Sequence, residues 1–99
     1  MVKFIIMFIL SASNSFKKTY KKFVNKNPIL ERKISAVLEK LSNNPQNPSL
    51  SSHKVTVSNF GEVWSSKITA DIRLIWEYNA ENEIEILLLT IGGHDKVYR

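Results

Sequence analysis

Val63-Trp64-Ser65-Ser66-Lys67-Ile68-Thr69-Ala70-Asp71-Ile72-Arg73-Leu74-Ile75-Trp76 is the stretch on which the fold turns. Its residues alternate with a period of two, the spacing at which a pleated strand sends successive side chains to opposite faces. Val63, Ser65, Lys67 and Thr69 fall on one side, opposite Trp64, Ser66 and Ile68. Beyond Asp71, Arg73, Ile75 and Glu77 oppose Ile72, Leu74 and Trp76. Two strands are predicted, Glu62–Ala70 and Ile72–Tyr78, with a turn near Asp71. Asn79-Ala80-Glu81-Asn82 supplies the next turn. A third strand follows over Glu83–Ile91, and its solid run Ile86-Leu87-Leu88-Leu89 suits an interior position. Gly92-Gly93 ends it, leaving His94-Asp95-Lys96-Val97-Tyr98-Arg99 as a polar tail.

Upstream the chemistry changes. Residues 43–53, rich in Asn, Pro and Ser, read as a loop. Before them Leu30, Ile34, Val37, Leu38 and Leu41 recur at helical spacing, predicting a helix over Pro28–Ser42 with proline in its first turn. Phe16, Tyr20, Phe23 and Val24 form a shorter stripe after the N-cap candidates Ser13-Asn14-Ser15. The opposite face of this first helix carries Lys17, Lys18, Lys21, Lys22 and Lys26. Residues 3–12, built around Phe4-Ile5-Ile6-Met7-Phe8-Ile9-Leu10, read as a central strand buried on both faces. Seven apolar residues are too few to span a bilayer, which takes about 20, and the segment is shorter than a signal peptide. A start at Met7 would leave Met7–Ala12, still enough for a strand. The expected fold is α+β with the order β-α-α-β-β-β: one domain over residues 1–99, a mostly antiparallel sheet, and a helical hairpin packed on one face.

Ninety-nine residues leave room for one core and no separate cofactor domain. The absence of cysteine excludes disulfides, thiolate zinc sites, iron–sulfur clusters and a cysteine nucleophile, and it fits a reducing, cytoplasmic location. The net charge of +5 is unevenly placed. Residues 1–54 hold ten basic and two acidic side chains; residues 55–99 hold four basic and seven acidic. The first half therefore suits a polyanion or an acidic protein partner, and no membrane is implied.

Few residues can carry chemistry. His53 and His94 both sit at element boundaries, where a side chain can reach a ligand, and imidazole can give or take a proton near neutral pH. Asp95 and Tyr98 lie close to His94 in sequence, and Asp71 occupies a turn. His53, Asp71 and His94 have no recognised metal-ligand spacing, so no metal site is expected. Neither a nucleophile elbow nor a glycine-rich phosphate loop is present. Helices can cover only one face of the sheet, so Lys67 and Arg73 are expected on the open face near the tail. Cations beside a proton-transfer group match a phosphodiester site, and a tyrosine can stack a base.

Four phrases together resemble the RelE/ParE superfamily of small bacterial toxins. They are Ser13-x-Ser-Phe-Lys-Lys-x-Tyr-Lys-Lys, the asparagine–proline phrases before His53, the Val63–Trp76 stretch, and Ile91-Gly92-Gly93-His94-Asp95-Lys96-Val97-Tyr98-Arg99. The resemblance implies the same fold and an mRNA interferase that cuts mRNA on the ribosome and is silenced by a cognate antitoxin. It implies metal-free, cofactor-free chemistry in which a ribose 2′-hydroxyl attacks the adjacent phosphate. Carried over by position, His94 is the general acid or base, Asp71 its partner, His53 a second candidate, Arg73 the phosphate holder and Tyr98 the group that stacks or steers the nucleotide. Lys67 stands where members more often show arginine or histidine, and Val55–Gly61 departs from the usual leucine-x-glycine phrase. Lys17, Lys18, Lys21 and Lys22 are the candidate RNA-binding lysines. Two alternatives share the fold: a gyrase-inhibiting toxin of the ParE branch, and an inactive relative that only binds antitoxin.

Overall fold

The computed structural model describes residues 7–93. In chain order these form β1 (Ile9–Ala12), α1 (Asn14–Val24), α2 (Pro28–Asn43), a 3₁₀ turn (Pro48–Leu50), β2 (His53–Val57), β3 (Gly61–Lys67), β4 (Ile72–Asn79) and β5 (Asn82–Gly93). The sheet order is β1-β5-β4-β3-β2, with β1 parallel to β5 and every other pair antiparallel. The α+β class and the helical hairpin are as expected from the sequence.

Local chemistry accounts for the helix ends. Ser13 caps α1 by accepting from the Phe16 amide at 3.0 Å, and its hydroxyl also donates to the Leu89 carbonyl at 2.9 Å. Asn27 caps α2 by accepting from Leu30 N–H at 3.1 Å, with Pro28 at the first helical position, where a missing N–H costs nothing.

The differences from the sequence reading lie in the strands. The expected strand over 3–12 is narrower among the described residues, and residues 3–6 lie outside them. β1 is also an edge strand rather than a central one, with Ile9 53% exposed. Its apolar character serves one side: Phe8 and Leu10 pack on the core under the helices, and Phe8 N–H donates to the Ser42 carbonyl at 2.8 Å. β3 stops at Lys67, because Ile68 and Thr69 N–H both turn back to the Ile72 carbonyl, and Thr69 Oγ1 accepts from the amides of Asp71 and Ile72. His53–Val57, the end of the expected loop and the residues after it, instead forms an additional strand, β2. Val55 and Val57 alternate with Lys54 and Thr56, but four polar residues among Ser51–Lys54 mask that short signal. Gly92 and Gly93 do not end β5 early; they pair with Arg73 and Ile72 as its last rungs.

Two cores sit on the two faces of the sheet. Under the helices, Phe16, Leu30, Ile34, Val37 and Leu41 meet Leu74, Trp76, Ile86, Leu88 and Ile91. On the other face Val57, Val63, Ile75 and Leu89 form a smaller cluster with Phe60 and Leu87 around it. β3 pairs with β4 only from Trp64 to Lys67, whereas it pairs with β2 from Gly61. The free end of the β2–β3 hairpin is thus able to fold over the face opposite the helices, and the buried contact of Val57 with this cluster places it there. Much of the expected open face is covered by the chain's own hairpin.

A hydrogen-bonded relay ties the 43–52 loop to the buried sheet. Trp76 Nε1–H donates to Ser66 Oγ at 2.7 Å, Ser66 and Ser52 hydroxyls lie 2.7 Å apart, and Ser52 Oγ donates to the Pro45 carbonyl at 2.9 Å. A hydroxyl has one hydrogen, so Ser66 is the donor in the middle link. Ser66→Ala should therefore strand the buried indole N–H and destabilise the protein by about 1–3 kcal/mol, read as a lower urea midpoint at unchanged slope. A midpoint unmoved by the change would mean the indole has another partner. At the opposite end of the sheet, hydrogen bonds from Ser11 and then Asn79 hold the Glu85 carboxyl below its usual range, against a smaller opposing effect of burial. A depressed carboxylate stabilises the fold above the ordinary carboxylate range, and that contribution is lost as pH falls through the lowered value.

Candidate functional site

The register brings the sequence-derived residues to one end of one face. Lys67 pairs with Arg73, and Arg73 pairs with Gly92; two rungs along, His53 pairs with Ser65, Ser65 with Ile75, and Ile75 with Thr90. Residues directly opposite across strands share a face. His53, Lys67 and Arg73 therefore lie on the face opposite the helices, spread over three adjacent strands about 5 Å apart. β5 reaches Gly93 there, and His94 is the next residue in the chain. Asp71 stands at the same end: a Cβ added to Gly93 would meet the Asp71 carbonyl at 3.9 Å. The positions of His94 and Tyr98 lie outside the described residues.

His53 is exposed at the start of β2, and its Nδ1 lies 3.0 Å from the Ser51 carbonyl. A carbonyl can only accept, so in neutral imidazole Nδ1 carries the proton and Nε2 holds the lone pair. Ser51 reaches that position through a left-handed backbone, φ 49°, at the end of the 3₁₀ turn. A non-glycine residue in that region costs energy, a pattern concentrated at functional sites. The sequence reading did not single out Ser51; the only signal was its place two residues before a boundary histidine.

The cations differ in their surroundings. Lys54 points to the other face, paired with Glu62 at 3.1 Å and lying over the Trp64 ring. It is the one ion pair among the described residues. Lys67 is exposed, and Arg73 is half-buried with its Nε wholly shielded and no acceptor among the described residues. Buried N–H groups almost always have a partner, so this Nε stands out among the described residues. No group of three or more His, Asp or Glu side chains among the described residues could hold a metal ion. Lys17, Lys18, Lys21 and Lys22 are all exposed along α1, away from the buried Phe16.

Between α1, the β2–β3 turn and the end of β5 lies a cleft of about 390 Å³, with Thr90, Ile91, Gly92 and Gly93 along its floor. Sequence reading missed it, since its walls come from three segments far apart in the chain.

A sheet of this order with a helical hairpin on one face defines the RelE-like class of toxin folds, and solved structures agree. The E. coli DinJ–YafQ toxin–antitoxin complex contains a chain 18% identical, with 95% of this chain and 100% of that one covered at a TM-score of 0.70. A YoeB/ParE toxin from Agrobacterium tumefaciens is 15% identical, with coverage of 88% and 99% and a TM-score of 0.71. A metal-bound toxin from Helicobacter pylori is 19% identical, with coverage of 93% and 100% and a TM-score of 0.72. No curated protein matches the sequence. Residues 9–99 match the model of the YafQ family, bacterial toxins of type II toxin–antitoxin systems, and the chain belongs to that family. No described helix is long and apolar enough to cross a membrane.

Proposed function

We propose that this toxin is a metal-free endoribonuclease that cleaves mRNA on the ribosome. The observation that carries the reading is the placement of His53, Lys67 and Arg73 on one face, at the sheet end that leads into His94. In this reading the 2′-hydroxyl of a ribose loses its proton to a base and attacks the adjacent phosphorus. The P–O5′ bond breaks as an acid protonates the departing oxygen, leaving a 2′,3′-cyclic phosphate and a free 5′-hydroxyl. His53, with its Nε2 lone pair, and His94 fill the base and acid roles. Arg73 and Lys67 balance the charge that grows on the phosphoryl oxygens, where a fixed donor in a water-poor site acts most strongly. Asp71 supports the His94 imidazolium, and Tyr98 stacks on a neighbouring base.

Primer extension during in vitro translation tests this. Cuts within ribosome-bound codons support it, whereas intact mRNA with blocked DNA supercoiling favours the gyrase-inhibiting alternative. The lysine stripe on α1 serves the phosphate backbone, so affinity for ribosomes should fall steeply with salt as condensed counterions are released. Neutralising Lys17, Lys18, Lys21 and Lys22 together should flatten that dependence and weaken binding while leaving cut positions unchanged. Unaltered binding would reduce the stripe to a solvated face.

The partner that silences the toxin is, on the same reading, an acidic antitoxin. An acidic surface or segment would match the basic first half of the chain and the exposed Lys67. A cognate partner with a basic toxin-binding segment would contradict this.

A further inference from the structure

The cleft beside the candidate site has a composition that its position alone does not require. Phe23 of α1 and Phe60 of the β2–β3 turn give it two aromatic walls, Lys22 stands at the rim, and Ser58 and Asn59 bring polar side chains. No acidic residue lines it among the described residues. Its floor is Gly92 and Gly93, which have no side chains to fill it, and Gly92 is the cross-strand partner of Arg73. The walls are fixed. Thr19 Oγ1 accepts from Ile91 N–H at 3.0 Å, clamping α1 to β5. Phe60 N–H donates to the Val57 carbonyl at 3.0 Å, and Gly61 completes the turn with φ 76°, a conformation that favours glycine.

We infer that this cleft holds one nucleoside of the RNA strand, next to the phosphate held by Arg73, and that Asn59 reads the edge of its base. The proposal rests on the ribonuclease reading for its substrate and adds the subsite that selects the sequence. About 390 Å³ lies within the range of small-ligand pockets. An aromatic ring offers a stacking surface to any base. An amide can pair with a base edge as donor and acceptor together, and a lysine at the rim suits the adjoining phosphate. The continuity of Lys22 with the exposed Lys17, Lys18 and Lys21 gives the strand a path into the cleft.

Binding and cutting are read separately. Trinucleotides carrying 2′-deoxy sugars at the first and central positions offer no 2′-hydroxyl to attack either phosphate and cannot be cleaved this way, and their binding is followed by NMR on the wild-type toxin. The amides of Asn59, Phe60 and Gly92 should shift. Phe60→Ala should weaken binding by about tenfold to a hundredfold, as expected for loss of one stacked base. Phe60 also touches the smaller core, so Phe60→Leu, which keeps apolar volume and loses the ring, should weaken binding while unfolding like wild type. On programmed ribosomes Asn59→Ala should cut with relaxed base preference at one position beside the scissile phosphate. Unshifted cleft amides, unchanged affinity of Phe60→Leu, or an unchanged base preference of Asn59→Ala would each overturn the proposal. So would a result in which these variants lose antitoxin affinity alone, which would assign the cleft to the protein partner. If the trinucleotide occupies the cleft while wild-type toxin cuts no mRNA, the cleft stands and the ribonuclease reading falls.

Discussion

His94→Ala is expected to lose about 10²- to 10⁴-fold in single-turnover cleavage on programmed ribosomes, the range a positioned acid or base contributes. Ribose 2′-hydroxyl is a poor nucleophile until its proton leaves, and the 5′-oxygen a poor leaving group until it gains one. Two proton movements require two groups, and the chain has only two histidines. His53→Ala should therefore be impaired as well, and the two losses should fall short of additive, as happens for groups that act as a unit. Antitoxin binding and the unfolding midpoint of His94→Ala should stay near wild type, because residue 94 lies beyond the core run Ile84–Ile91 in the sequence. EDTA should change nothing in any variant. Near wild-type cleavage by His94→Ala would move the proton transfer to Asp71, Lys67 or His53. Tyr98→Phe should keep more activity than Tyr98→Ala if the ring only stacks. Equal losses would give the hydroxyl a proton or phosphate contact.

Trp76→Ala should cost about 3–5 kcal/mol, the range for removing a large buried aromatic side chain. A domain of this size has roughly 5–15 kcal/mol in all, so the variant should unfold tens of degrees lower or fail to accumulate. Its burial and two ring contacts make Trp76 the centre of the molecule. It is fully buried, it stacks on Trp64 at 5.6 Å and 14°, and it meets Tyr78 edge-on at 5.1 Å and 81°. Trp76→Phe separates the causes: it keeps a ring against Trp64 and removes the N–H that Ser66 accepts. Urea unfolding followed by far-ultraviolet circular dichroism should rank wild type, Trp76→Phe and Trp76→Ala in falling order. Equal losses for the two substitutions would place the cost in the hydrogen bond rather than in packing.

Much of the site was legible because a strand encodes its faces in its alternation. Lys67 and Arg73 were assigned to the face opposite Leu74 and Trp76, and they lie there because a one-residue slip would put Trp76 into water. The lysine face of α1 followed from the 3.6-residue stripe of Phe16, Tyr20, Phe23 and Val24. β2 was not legible: it is short, three of its five residues are polar, and its gain comes from pairing with β3. β1 misled in the other direction, since a continuous apolar run suggests burial on both sides whether or not a second neighbour exists.

The amino-acid sequence by itself determined the types of every element but β2, the capping region at Ser13–Ser15, the charge asymmetry and the family, because each depends on residues close together in the chain or on short phrases. Tertiary structure alone decided that β1 lies at an edge and that the β2–β3 hairpin covers part of the face opposite the helices. It also decided that α1, Phe60 and the β5 glycines enclose a cleft. Those outcomes depend on contacts between segments distant in sequence, made only when the sheet twists and its apolar remainder is buried, and no local spacing encodes them.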